Sequence, residues 1–176
     1  MRLGVALRRF AIPGFIQSAY FLLCHKVAMS SRAEVEWSRL LHIGRHSQIS
    51  SFVKIKSSQG PVTIGERTDI GCGVFIAGHV HGIEIGNDCL ISPHVSIVGV
   101  NYRYDRPDIP IRQQGLVSGG PIRIGNDVWI GAGAVILDNC QIGDGAIIGP
   151  NAVVSGAIPP MAIVAGNPGK IIFTRR

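Results

Sequence analysis

The sequence predicts an all-β solenoid of about five triangular coils, with a helical cap at the N-terminus and one long loop. Three observations carry this expectation. First, an aliphatic residue returns every six positions, at Ile124, Ile130, Ile136, Ile142, Ile148 and Val154. Six is neither a helical period nor a simple strand period, and it suits a repeat of one short strand plus a turn. Second, the residue two places before each, at Ile122, Val128, Ala134, Cys140, Ala146 and Ala152, is mostly small or β-branched. Strand side chains alternate faces, so both members of each pair would point inward. Third, the hexads group by three, as Ile43, Ile49, Ile55, then Ile64, Ile70, Ile76, then Ile85, Ile91, Ile97. Three strands per coil mean a triangular cross-section, and fifteen positions from 43 to 154 mean five coils. Glycine follows four of the later aliphatic residues, at Gly125, Gly131, Gly143 and Gly149, where a tight corner favours a residue tolerant of positive φ.

Taken in order, residues 1–40 differ from the rest and form the expected cap. Arg2, Arg8 and Arg9 precede an apolar run, Phe10 to Leu23, that is short for a membrane span and lacks a signal-peptide cleavage pattern. A helix from about Pro13 to Met29 would cover the open end of the solenoid. The same segment, residues 1–29, also suits peripheral contact with an anionic membrane, arginines at the headgroups. The repeat domain runs over 41–158. Within it the steps between trios are nine, nine and twenty-seven, so every insertion falls after the third strand of a trio, at one corner. The longest, loop 98–121, leaves a regular scaffold and carries Asn101, Tyr102, Tyr104, Asp105 and Asp108, which suit the acceptor side of an active site. A subunit-packing arm is the alternative reading. The hexads stop at Ile158-Pro159-Pro160, and residues 159–176 would form a C-terminal cap with a basic tail.

Composition narrows the function. Charged residues are 16% of the chain and the net charge is +6, but the basic residues are dispersed and aromatics are only 6%. No nucleic-acid partner is expected; a phosphate-bearing small molecule or an anionic surface fits better. The four cysteines contain no CxxC pair, and Cys89 and Cys140 fall at inward positions, as buried thiols of a reducing compartment would. The expected location is cytoplasmic, at the inner face of the membrane if the N-terminal segment binds there.

The hexads, the segment Asn126-Asp127-Val128-Trp129-Ile130-Gly131, the terminal Ala165-Gly166-Asn167-Pro168 and the loop Asn101 to Gly115 together resemble the hexapeptide-repeat acyltransferases. That group includes the sugar O-acetyltransferases and the streptogramin-type xenobiotic acetyltransferases. The resemblance covers about residues 41–172. It implies a left-handed parallel β-helix, against the right-handed preference of ordinary crossovers. It also implies a homotrimer with sites between neighbouring prisms, acetyl-CoA as co-substrate and a sugar or nucleotide-sugar acceptor. By motif match the CoA contacts would include Ala132, Pro150, Ser155, Gly156 and Lys170. Pro150 stands where a small Ala is common in the family and Gly156 where some members have Lys; the serious departure is Tyr102, which stands where the catalytic His belongs, and a phenol is a poor base at neutral pH.

A replacement base is available in the corner Gly78-His79-Val80-His81. The coil repeat of twenty-one residues between Ile76 and Ile97 would stack His81 near Tyr102. His81 is therefore the first candidate base and His79 the second, with Tyr102 positioning the acceptor. His79, His81 and His94 also suit a zinc site, but the long loop and the terminal motif fit acyl transfer better, and no metal is expected. The expected function is CoA-dependent O-acyl transfer, acetyl by resemblance, to a sugar hydroxyl in surface polysaccharide or lipopolysaccharide biosynthesis. A catalytically impaired trimeric scaffold is the alternative. Apolar residues at outward positions, Trp129, Val135 and Ile147, would serve subunit packing.

Overall fold

The computed structural model describes residues 12–176; the expected headgroup arginines Arg2, Arg8 and Arg9 lie outside them. Helix α1, Gly14–His25, begins directly after Pro13, whose ψ of 137° is extended and whose ring disfavours a helical conformation in the residue before it. The helix stops four residues before the expected Met29, where Lys26 adopts the left-handed conformation and its N–H bonds back to Leu22 O. Gln17, buried, donates to Val35 O at 2.9 Å, and Phe21 packs against the core. The helix thus lies on the first coil.

Three parallel sheets form the walls. The first contains β1 (Ala28–Met29), β4 (Gln48–Ile49), β7 (Asp69–Ile70), β10 (Leu90–Ile91), β15 (Trp129–Ile130), β18 (Ile147–Ile148) and β21 (Ala162–Ala165). The second contains β2 (Glu34–Val35), β5 (Lys54–Lys56), β8 (Phe75–Ala77), β11 (Ser96–Val98), β16 (Val135–Ile136) and β19 (Val153–Val154). The third contains β3 (Leu41–Ile43), β6 (Val62–Ile64), β9 (Ile83–Ile85), β14 (Ile122–Ile124), β17 (Gln141–Ile142) and β20 (Ala157–Ile158). Three of the described strands stand apart from the parallel walls. The ribbon β12 (Asn101–Tyr102) and β13 (Leu116–Val117) is antiparallel, and β22 (Lys170–Thr174) turns back antiparallel along β21.

The solenoid therefore has about six coils rather than five. The first coil was hidden because Met29 and Val35 replace isoleucine and the step from Val35 to Ile43 is eight. The last was hidden because the step from Val154 to Ile158 is four and Pro159-Pro160 reads as a stop, although Val164 lies six residues after Ile158. Both Ile158 and Val164 are buried in the core. The variable steps all fall at the corner between the second and third sheets, the corner the insertions had marked.

The corner glycines are explained by crowding, not by positive φ. Gly125, Gly131, Gly143 and Gly149 are absent from the left-handed region; it is occupied two residues further on, by Asp127 (φ 54), Gly133 (φ 70), Gly145 (φ 67) and Asn151 (φ 56). A Cβ on Gly131 would meet Pro150 N at 2.6 Å, and one on Gly143 would meet Pro160 N at 2.5 Å. Successive coils approach backbone to backbone there, and only hydrogen fits. Inside, the side chains two before the first-sheet aliphatics form a column in which Ser47, Thr68 and Cys89 are polar. Ser47 Oγ donates to Gly65 O (2.7 Å) and accepts from Thr68 N–H (3.0 Å); Thr68 Oγ1 donates to Gly86 O (2.9 Å) and accepts from Cys89 N–H (3.1 Å). Each buried hydroxyl is satisfied, which removes the desolvation cost it would otherwise carry.

Candidate functional site

The corner between the second and third sheets carries both the His79–His81 turn and the inserted loop. After β8 the chain turns through Gly78 to Gly82, closed by Gly82 N–H bonding to His79 O at 2.7 Å. His81 is exposed in this turn and His79 is half-buried. Among the described residues, His79 Nδ1 is the buried side-chain atom without a hydrogen-bond partner.

One coil further, β11 follows β8 in register, Val98 opposite Ala77. The final rung is Gly99 N–H to Ala77 O, 3.1 Å, and a Cβ on Gly99 would stand 3.7 Å from the His79 amide nitrogen. Here the ladder ends and the inserted loop rises. The register that would continue to place His81 beneath Tyr102 is not extended by backbone pairing. Tyr102 pairs instead with Leu116 in the ribbon, and its side chain is exposed. Loop and histidine turn therefore share a root, while Tyr102 belongs to the hairpin.

The loop is a built structure. Arg103 N–H bonds to Gly115 O at 3.1 Å. At the tip, Gln114 accepts from Arg106 N–H (3.0 Å) and donates to Arg106 O (2.7 Å) and Ile109 O (3.0 Å), stapling the chain across a 3-10 turn at Ile111–Gln113. Asp108 is taken up by Arg106, whose hydrogen bond holds the Asp108 carboxyl below the usual carboxylate range. Tyr104 and Asp105 are exposed.

Both stems of the loop converge on one carboxylate. Asn101 Nδ2 donates to Asp138 Oδ1 at 3.0 Å, and Gly119 N–H donates to Asp138 Oδ2. Asp138 lies in the corner one coil beyond, because Ile97 pairs with Ile136 across the insertion. Sequence reasoning missed it. The signal was available: an offset of thirty-nine places Asp138 below Gly99, the point where the loop leaves.

The residues matched to CoA contacts fall on two ridges. Ala132 and Pro150 are exposed at the corner between the first and second sheets, where Asn151 N–H bonds to Ala132 O at 2.9 Å. His94 shares this ridge, through Gly133 N–H to Pro93 O at 3.0 Å. Ser155 and Gly156 are exposed at the other corner, one coil beyond Asp138. Gly156 has φ 74 and nothing within 4 Å of a Cβ position, while its carbonyl accepts from Gln141 N–H at 2.9 Å. Lys170, exposed, begins β22 opposite Ala165. The two ridges bound opposite edges of the second sheet.

Two family models match the chain, Bacterial transferase hexapeptide (six repeats) at residues 121–156 and Hexapeptide repeat of succinyl-transferase at residues 61–93. The chain is 32% identical over 141 residues to a chloramphenicol acetyltransferase of Agrobacterium fabrum, covering 77% of this chain and 68% of that protein. It is 35% identical over 125 residues to WbbJ of Escherichia coli, a candidate lipopolysaccharide biosynthesis O-acetyl transferase, covering 71% of this chain and 56% of WbbJ. The chain spans about half the length of several curated relatives it matches. Among solved structures, it superposes with TM-score 0.77 and 25% identity on AntD, an N-acyltransferase from Bacillus cereus in complex with dTDP and 3-hydroxybutyryl-CoA, covering 96% of this chain and 91% of that one.

Proposed function

Since the chain belongs to the hexapeptide-repeat family of bacterial transferases, we propose that it is a CoA-dependent acyltransferase. The acyl group, acetyl in the first instance, passes to a sugar hydroxyl during assembly of a surface polysaccharide or lipopolysaccharide. The observation that carries this reading is the tethered hairpin, rooted beside the histidine turn. The relationship to WbbJ supports a sugar O-acyl acceptor, and the likeness to AntD, one mutant of which is in complex with dTDP-4-amino-4,6-dideoxyglucose and coenzyme A, supports a nucleotide-sugar one.

His81 is the proposed base. A proton on His79 Nδ1 would be buried without an acceptor, so neutral His79 keeps its proton on Nε2 and is left with only the buried nitrogen to accept. His81 is exposed and free of that constraint. The acceptor hydroxyl gives its proton to His81 as its oxygen bonds to the thioester carbon. The tetrahedral adduct then collapses, the C–S bond breaks, and the imidazolium returns the proton to the leaving thiolate, leaving an ester and free CoA. Tyr102 and Asn101, on the hairpin, position the acceptor. Ala132, Pro150, Ser155 and Gly156 offer backbone to pantetheine, and Lys170 offers charge to a phosphate.

A homotrimer would unite the two ridges. Setting one prism's first-to-second corner beside the next prism's second-to-third corner puts both sets of contacts in one groove. The outward face of the first sheet supports such packing. Leu90, Trp129, Ile147 and Ile163 stack in register, and Leu90 and Trp129 are about half exposed.

The test is thiol release from acetyl-CoA with a panel of nucleotide sugars. His81→Ala should lower turnover by a factor of about 10² to 10⁴ and leave CoA affinity intact, the usual cost of losing a general base. Absence of CoA binding to the wild type by calorimetry refutes the reading. A wild type without turnover whose Tyr102→His variant gains it would favour the scaffold instead, an alternative supported by Tyr102 at the family's His position.

A further inference from the structure

Helix α1 is amphipathic in an inverted sense. Its solvent face includes Phe15, Ile16, Ala19, Leu22 and Leu23, all exposed, with Leu23 at 80% and Phe15 at 67%. These positions follow helical spacing and form one stripe about 120° wide. The opposite face holds buried Gln17 and the core-facing Phe21. A surface helix ordinarily turns its apolar stripe inward, whereas here the larger stripe faces out. The helix contains no charged residue, and at 12 residues, roughly 18 Å long, it does not cross a bilayer.

The charge distribution points to the occupant. Residues 1–45 hold seven Lys and Arg against two Glu, so that quarter of the chain carries +5 of the net +6. Among its described members, Lys26 caps α1 at the edge of the apolar stripe. Arg39 lines a recess with Tyr20, Phe21 and Trp37, and Arg45 lines a groove with Cys24 and His25. All three basic side chains are exposed around the helix. Tyr20 and Trp37, rings 4.8 Å apart, are each partly exposed beside it. Apolar side chains, flanking cations and half-exposed Tyr and Trp are the three groups that an acyl–headgroup boundary takes up.

We propose that this end of the prism docks on an anionic bilayer surface, with the Phe15–Leu22–Leu23 stripe in the acyl boundary and Lys26, Arg39 and Arg45 at the headgroups. This holds whether or not the acyl-transfer reading does, since lipid binding needs neither CoA nor acceptor. The docked helix lies in the plane of the interface, and the solenoid extends away from it, presenting the loop corner to substrates at the membrane surface.

The experiment is co-sedimentation of the full chain with two kinds of vesicle, pure phosphatidylcholine and phosphatidylcholine with phosphatidylglycerol at about three to one. The expected result is binding to the anionic vesicles only. Binding should weaken as salt rises from about 0.1 M to 1 M, which shortens the Debye length from about 10 to about 3 Å. Phe15→Ser with Leu23→Ser should weaken it by a factor of about ten or more, and Lys26→Gln by a factor of about five. Should the double variant fail to fold, Leu23→Asn alone, at the most exposed position, replaces it. The proposal is overturned by equal binding to both vesicles, by binding indifferent to these substitutions, or by no binding at all. It is equally overturned if Phe15→Ser with Leu23→Ser breaks up a soluble oligomer while the wild type ignores vesicles, which would make a second copy of the chain the occupant.

Discussion

Replacing Asp138 with Ala should free the inserted loop without unfolding the solenoid. Asp138 accepts from Asn101 Nδ2 and from Gly119 N–H, and these two bonds tie the stems together on the coil beyond. Hydrogen bonds to a charged group contribute about 1.5–3 kcal/mol each when well shielded. Both donors lie on exposed residues and Asp138 is half-buried, so about 1–2 kcal/mol for the pair is the appropriate scale. That corresponds to an opening equilibrium raised by a factor of about 5 to 30. The core aliphatics on either side, Ile97, Ile122 and Ile136, are fully buried and do not depend on the carboxylate, so Tm should fall little. Hydrogen exchange over residues 101–119 should quicken by that factor. If the hairpin positions the acceptor, kcat/KM for the acceptor should fall by a factor of about ten to a hundred, while CoA affinity holds. Asp138→Asn keeps one oxygen acceptor and should fall between wild type and Asp138→Ala. Unchanged exchange in Asp138→Ala would refute the tether itself. Faster exchange with unchanged kcat/KM would refute only its role in positioning.

Other measurements follow from the same geometry. Lys170→Ala should weaken CoA binding by about 1 kcal/mol, read by calorimetry, since an exposed lysine contributes one screened phosphate contact. Burial pushes the Cys140 thiol up to about 11, from an ordinary value near 9. The unfolded chain releases that proton first, so stability is fully present below about pH 9 and is lost as pH rises through about 11; denaturant midpoints on either side of that window should show it. Gly131→Ala should destabilise by about 1–3 kcal/mol, because its Cβ would meet Pro150 N at 2.6 Å; an unchanged midpoint would show that the coils can separate there.

Much of the fold was legible because a solenoid repeats its own physics. The six-residue return of aliphatics predicted the strands, the trio grouping predicted three walls, and the misplaced steps predicted which corner carries the loop. Legibility failed where local chemistry imitated a boundary. Pro159-Pro160 read as the end of the repeats, yet Ile158 and Val164 still fill the core. Glycine after the aliphatic read as a positive-φ residue, yet the cause is the neighbouring coil's backbone, invisible to any single hexad. At the candidate site, the sequence marked the loop and the His79–His81 turn, but it extended the stacking register to Tyr102 past the point where the ladder stops.

The sequence by itself determined the elements whose cause is periodic and local: short strands, inward aliphatics, three walls and the position of the insertion. Only the tertiary structure decided that Asp138 ties both stems, that Gln114 staples the tip, that Tyr102 pairs with Leu116, and that α1 turns its apolar stripe outward. Those features depend on which residues meet outside the repeat, at separations of five to thirty-seven positions. A repeat specifies its neighbours by arithmetic, whereas an insertion breaks the arithmetic and leaves the meeting points to packing and hydrogen bonding.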